Sequence, residues 1–145
     1  MKIYGLAHIA IMADHYDETI QFYTSFLDFT KVHSWSLPDY AIKEACMLKS
    51  RDHRTYIEVF DKNADVPREG TVLKSLHENL HGHILHFALT VDSVTEVVEH
   101  LQCNGVTIIN PEESLALGSP AVNVKNAIIK GPNGEIIELL EEVEF

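Results

Sequence analysis

The feature that most constrains this chain is an internal repeat. His8-Ile9-Ala10-Ile11-Met12-Ala13-Asp14 and His86-Phe87-Ala88-Leu89-Thr90-Val91-Asp92 share the pattern H-x-A-x-x-x-D, with an apolar residue at the fourth position and an offset of 78 residues. A second signature closes each half, Tyr56-Ile57-Glu58-Val59 and Ile136-Ile137-Glu138-Leu139. The His-to-Glu separation is 50 residues in the first half and 52 in the second. Repetition on this scale marks one structural unit used twice.

The elements between the signatures agree. Asp14 is placed to cap a helix running to about Phe26, with Tyr16, Ile20, Tyr23 and Leu27 near the i, i+4, i+7 spacing of a buried stripe. In the second copy Ser93 and Glu96 have capping-box spacing, Val94, Val97, Val98 and Leu101 make an apolar face, and Asn104-Gly105 ends the helix. Three strand candidates follow each helix, over 29–35, 40–48 and 54–60, then 106–110, 122–130 and 135–141. Pro132-Asn133-Gly134 reads as a tight hairpin turn. The fold class is therefore α+β, a pair of tandem β-α-β-β-β modules over 1–61 and 83–145. A linker over 62–82 joins them, with a short helix at Thr71–Leu80 after the turn-prone Pro67-Arg68-Glu69-Gly70.

Strand parity sorts the side chains. His8 travels with Ala10 and Met12 while Ile9 and Ile11 point the other way, and Glu58, His86 and Glu138 obey the same split. Each time the opposite set is bulky and apolar, the face a helix covers. A carboxylate desolvated without a partner costs several kcal/mol, about the scale at which chains avoid it. Convergence of the four on one divalent ion removes that cost. Imidazole and carboxylate ligands suit Zn, Ni, Mn or Fe(II), at about 2.0–2.2 Å.

With 11 Lys plus Arg against 22 Asp plus Glu, a formal charge of −11 and no basic cluster, nucleic acid is not an expected partner. No apolar run reaches the length of a membrane span, and Met1–Met12 is too short and wrongly flanked for a signal peptide, so a cytoplasmic, soluble protein is expected. Cys46 and Cys103 have no C-x-x-C spacing and read as ordinary buried thiols. Among the other histidines, His77 and His81 stand at i, i+4 in the linker. His15, His33, His53 and His100 have no partner at persuasive spacing, and Trp35 and Tyr56 read as packing or as pocket lining.

With these residues in view the chain resembles the vicinal oxygen chelate superfamily: glyoxalase I, methylmalonyl-CoA epimerase, extradiol dioxygenases, fosfomycin-resistance and bleomycin-binding proteins. The resemblance is carried by His8-Ile9-Ala10-Ile11, the helix end Phe22-Tyr23-Thr24-Ser25-Phe26-Leu27-Asp28-Phe29, His86-Phe87-Ala88-Leu89 and Gly131-Pro132-Asn133-Gly134-Glu135-Ile136-Ile137-Glu138-Leu139. It implies curled mixed sheets enclosing a metal-binding pocket, often completed between subunits, and hence a homodimer. A His, Glu, His, Glu quartet looks like glyoxalase I. The resemblance therefore implies a lyase or isomerase in which a metal acts as Lewis acid on a small substrate with adjacent oxygens, stabilising an enediolate or enolate while a carboxylate moves the proton. Glu138 is the first choice for that base by its match to the family position, with Glu58 its partner.

Two departures stand out. Glutathione-using members commonly carry an arginine four residues after the first histidine, where this chain has Met12. With Met12, Tyr56 and Phe60 as the expected lining, a less charged substrate is expected, unless Lys125 or Arg54 supplies the cation. The usual L-G-F after the first helix is Leu27-Asp28-Phe29 here. The alternatives are a metal-free drug-binding protein of the bleomycin-binding type, a metal-dependent dioxygenase, and a fosfomycin-type transferase. Glu58 argues against the last two, because each needs a smaller ligand set.

Overall fold

The structure is a computed structural model that describes residues 6–66 and 84–143. Contacts divide the chain into two units, Met1–Pro67 and Arg68–Phe145. The first runs β1 (Ile9–Ala13), α1 (Tyr16–Phe26), β2 (Thr30–Leu37), a 3-10 turn at Pro38–Tyr40, β3 (Ile42–Lys49) and β4 (Tyr56–Asp61). The second runs β5 (Phe87–Val91), α2 (Val94–Cys103), β6 (Ile108–Leu117), β7 (Val122–Lys130) and β8 (Ile136–Glu141). Each unit is the expected β-α-β-β-β module on a mixed four-stranded sheet, of order β1-β4-β3-β2 in one and β5-β8-β7-β6 in the other. The expected linker helix lies outside the described residues, as do His77 and His81.

The repeat is visible in the registers. β1 pairs parallel with β4, Ala10 opposite Glu58, and β5 pairs parallel with β8, Ala88 opposite Glu138. One side of each sheet is covered by its helix. Ile57, Val59, Ile137 and Leu139 are fully buried there, as strand alternation predicts.

The two helices end differently for local reasons. In α2, the Ser93 hydroxyl accepts from the Glu96 N–H at 3.3 Å, as the capping-box spacing predicts, although the Ser93 N–H goes to Asp92 at 3.1 Å. At its far end the Gly105 N–H reaches the Gln102 carbonyl and the Val106 N–H the Leu101 carbonyl, a Schellman motif with Gly105 at φ +78. In α1 the N-cap position falls one residue later than expected. It is His15, whose side chain makes no capping bond, and the Asp14 carboxylate lies 3.5 Å from His15 and 3.7 Å from Lys62. The buried stripe of α1 also shifts. Thr19, Phe22 and Tyr23 are buried while Tyr16, Ile20 and Leu27 are half-buried, because the Thr19 hydroxyl is satisfied by the His15 carbonyl at 2.8 Å and can go inside.

Two strands outrun their predicted limits. β6 continues through Pro111 to Leu117, and its register shifts between Asn110 and Glu113. A proline is tolerated at such an irregularity on an edge strand, since no ladder N–H is demanded of it. β2, also an edge strand, extends to Leu37. Cys46 is buried, and burial pushes its thiol pKa up. Cys103 is exposed, since it falls on the side of α2 away from Val94, Val98 and Leu101.

Candidate metal centre

Each His–Glu couple is assembled within its own unit by the same device. His8 immediately precedes β1 and lies one pleat before Ala10, the residue directly opposite Glu58. A methyl group at Ala10 is small enough for the imidazole to reach across to the carboxylate, and the His8 Nε2 to Glu58 Oε2 distance is 3.2 Å. In the second unit His86, Ala88 and Glu138 repeat this, with His86 Nε2 3.4 Å from Glu138 Oε2. The alanine of H-x-A thus has a physical purpose: a larger side chain would cover the glutamate facing it. The exposures match as well, 42% and 16% for His8 and Glu58 against 41% and 18% for His86 and Glu138. The imidazoles sit at the solvent side of carboxylates that are largely covered.

These distances suit shared coordination. Ligand atoms about 2.1 Å from one ion and 90–109° apart are separated by roughly 3.0–3.4 Å. Both couples fall in that interval, and the donor set is the N,O combination that borderline and hard divalent ions take. Among the described residues no three His, Cys, Asp or Glu side chains gather closely enough to hold an ion, and each unit brings together one histidine and one glutamate.

The surroundings of the two carboxylates differ. Glu138 Oε1 accepts a 2.7 Å hydrogen bond from Asn126 Nδ2 on β7, where Asn126 pairs with Leu140. The equivalent of that pairing in the first unit is Ala45 with Phe60, and Ala45 has nothing to donate. Sequence reasoning missed Asn126. The available signal was an amide in strand phase with Val124 and Ile128, opposite in parity to Ala127 and Ile129.

The expected pocket lining divides. Phe60 is buried with Ile42, Ala45 and Ala64, and Met12 and Trp35 pack against that group. Trp35 meets Phe60 edge-on at 6.3 Å and stacks on His33 at 5.7 Å. Tyr56 is half-exposed, with Lys49 Nζ 5.7 Å from its ring centroid. Since Tyr56 shares a strand face with Glu58, Lys49 brings a cation to that face which sequence reasoning did not single out. Lys125 is engaged elsewhere, with Thr95 at 2.7 Å and Glu112 at 3.0 Å, and Arg54 is exposed in the connection between β3 and β4.

One further carboxylate is strongly constrained. Asp61, at the end of β4, is buried, which by itself raises its pKa, yet backbone N–H groups of Glu44, Asn63 and Lys43 outweigh burial and hold it below the usual carboxylate range. The bonds are 2.8 Å from Lys43, 3.0 Å from Glu44 and 2.8 Å from Asn63.

A paired βαβββ architecture with a His and a Glu at matching strand positions defines a class, and the sequence comparison agrees with it. Residues 5–139 match the profile of the Glyoxalase/Bleomycin resistance protein/Dioxygenase superfamily, and the chain belongs to that superfamily. No curated protein matches its sequence. Among solved structures it is similar to a glyoxalase family protein from Enterococcus faecalis, at 23% identity and TM-score 0.68, covering 94% of this chain and 97% of that one. The trypanothione-dependent glyoxalase I of Leishmania major aligns at 19% identity and TM-score 0.66, over 97% and 88% of the two chains. FosX, a fosfomycin resistance protein from Listeria monocytogenes solved with Mn(II) and sulfate, aligns at 17% identity and TM-score 0.62, over 98% and 95%. At these identities the likeness is one of fold. Among the described residues no helix is long and apolar enough to cross a membrane.

Proposed function

We propose that the chain is a glyoxalase-like, metal-dependent lyase or isomerase that moves a proton on a small substrate with adjacent oxygens. His8, Glu58, His86 and Glu138 are the protein ligands of one divalent ion, Zn, Ni, Mn or Fe, joined within a chain or between the copies of a homodimer. The observation that carries this reading is the recurrence of one His–Glu geometry, 3.2 Å and 3.4 Å, at repeat-equivalent places. FosX with its Mn(II) and the Leishmania glyoxalase I offer precedent on the same fold.

Bound there, the ion would polarise the substrate oxygens and acidify the neighbouring C–H. The chain's own residues do the rest. His8 and His86, each presenting Nε2 to a carboxylate oxygen, serve as neutral ligands. Glu58 and Glu138 are the carboxylates able to take the proton from one carbon and return it to the next. Phe60, with Trp35 packed against its group, is the apolar neighbour two residues along the strand from Glu58, and a substrate's polar end would meet Tyr56 and Lys49.

The test is metal content and turnover together. Protein loaded separately with Zn, Ni, Mn and Fe(II) is expected to retain stoichiometric ion and to exchange a substrate C–H with solvent deuterium, assayed on hemithioacetals and α-hydroxy ketones. Glu138→Gln and Glu58→Gln should each lower turnover at least about 100-fold, the scale of a lost acid–base group. Wild-type protein that retains no ion from any of the four loadings overturns the reading.

A further inference from the structure

Asn126 is in an expensive place. Asparagine is disfavoured in strands, and a buried amide group without a partner costs about 1–3 kcal/mol. Asn126 nevertheless sits in the middle of β7, on the face that carries Glu138, and its Oδ1 is buried with no hydrogen-bond partner among the described residues. Its pairing neighbour Leu140 is apolar, as is Ile128 opposite Glu138. An aliphatic side chain would satisfy the packing at lower cost, so packing does not explain the amide. What the amide does is hold Glu138. A carboxylate only accepts, so Nδ2 must be the atom turned toward Oε1, and Oδ1 is thereby turned away.

Building on the metal reading above, we infer that Asn126 is a positioning residue that commits Glu138 to one-oxygen ligation. Nδ2 occupies Oε1 at 2.7 Å and leaves Oε2, the oxygen facing His86 Nε2, as the ligand atom. The first unit has no such device, because Ala45 stands at the equivalent place. The two glutamates are therefore unequal: Glu138 is held in one orientation, and Glu58 is oriented among the described residues by His8 alone.

The experiment titrates Zn(II) and Mn(II) into metal-free wild-type protein, Asn126→Leu and Asn126→Ser against a competing chelator. The Mn(II) electron spin resonance spectrum and the unfolding midpoint of each metal-free protein are recorded as well. Leucine keeps the volume and removes the donor; serine keeps a hydroxyl donor and stands in if leucine fails to fold. Asn126→Leu is expected to bind about 10–100-fold more weakly, the usual cost of removing a partner behind a ligand, with an altered Mn(II) spectrum. Asn126→Ser should recover part of the loss. Wild-type affinity and spectrum in either folded variant overturn the assignment of Asn126 while leaving the metal site intact. Affinity that falls only in step with a lowered metal-free unfolding midpoint overturns it too, since that marks a merely structural residue. No binding by wild-type protein overturns the metal reading itself.

Discussion

Replacing Asp61 tests how this fold terminates β4, three residues past a proposed ligand. Its carboxylate accepts three backbone N–H bonds, from Lys43 and Glu44 at one oxygen and from Asn63 at the other. Asp61→Asn keeps the shape and one oxygen for the Lys43 and Glu44 pair, but it turns an NH₂ group toward the Asn63 N–H. One charge-assisted bond is lost and two donors face each other, so the expected destabilisation is about 2–3 kcal/mol at neutral pH. Asp61→Ala strands all three donors, some of which water reaches, and should cost about 3–4 kcal/mol. The contribution depends on pH in a definite direction. The folded-state pKa is held below the unfolded value, so the stabilisation is complete above the ordinary carboxylate range and is lost as pH falls through the depressed folded value. Urea unfolding of wild-type protein and Asp61→Asn between pH 7 and pH 3 measures it, the two curves converging on acidification. An Asp61→Asn variant as stable as wild type at pH 7, or a gap that stays constant down to the lowest pH, would refute the reasoning.

Other expectations follow from single residues. Asp28 holds a left-handed conformation at φ +57, the place Gly105 takes after α2, so Asp28→Gly should stabilise by about 0.5–1 kcal/mol despite losing the exposed Arg51 pair; thermal unfolding reads the gain. Ser93→Ala removes the α2 cap and should cost about 1 kcal/mol, measured by denaturant unfolding, with Ser93→Asp largely neutral. Ala88→Leu places a large side chain directly opposite Glu138 at an exposed position. It should abolish metal retention while leaving the metal-free unfolding midpoint within about 0.5 kcal/mol of wild type, as surface substitutions usually do; retained binding would show that the alanine of H-x-A is not a spacing requirement.

Much of the architecture was legible because it is written in local periodicity. Alternation in Ile57, Glu58, Val59 and in Ile137, Glu138, Leu139 puts the glutamates on one face and the buried aliphatics on the other, whatever the neighbouring strand is. The Ser93 cap and the Asn104-Gly105 stop likewise depend on a few consecutive residues, and the repeat supplied the pairing of each histidine with its glutamate. The N-cap of α1 falls on His15, one residue past Asp14, and the aspartate also lies near Lys62, a residue distant in sequence. β6 runs past the expected 106–110 through Pro111, where an edge-strand irregularity absorbs the proline.

By itself, then, the sequence determined two βαβββ modules and which side of each sheet carries a histidine and a glutamate, because side-chain direction in a strand follows from position alone. Only the tertiary structure decided who meets across the sheet. Strand register brought Ala10 and Ala88 opposite the glutamates and Asn126 within 2.7 Å of Glu138 Oε1. It also buried Phe60 beside Trp35 and set Lys49 over Tyr56. Register depends on the fit of whole strands and the turns that join them, and a shift of one residue would have sent each of those side chains to the other face.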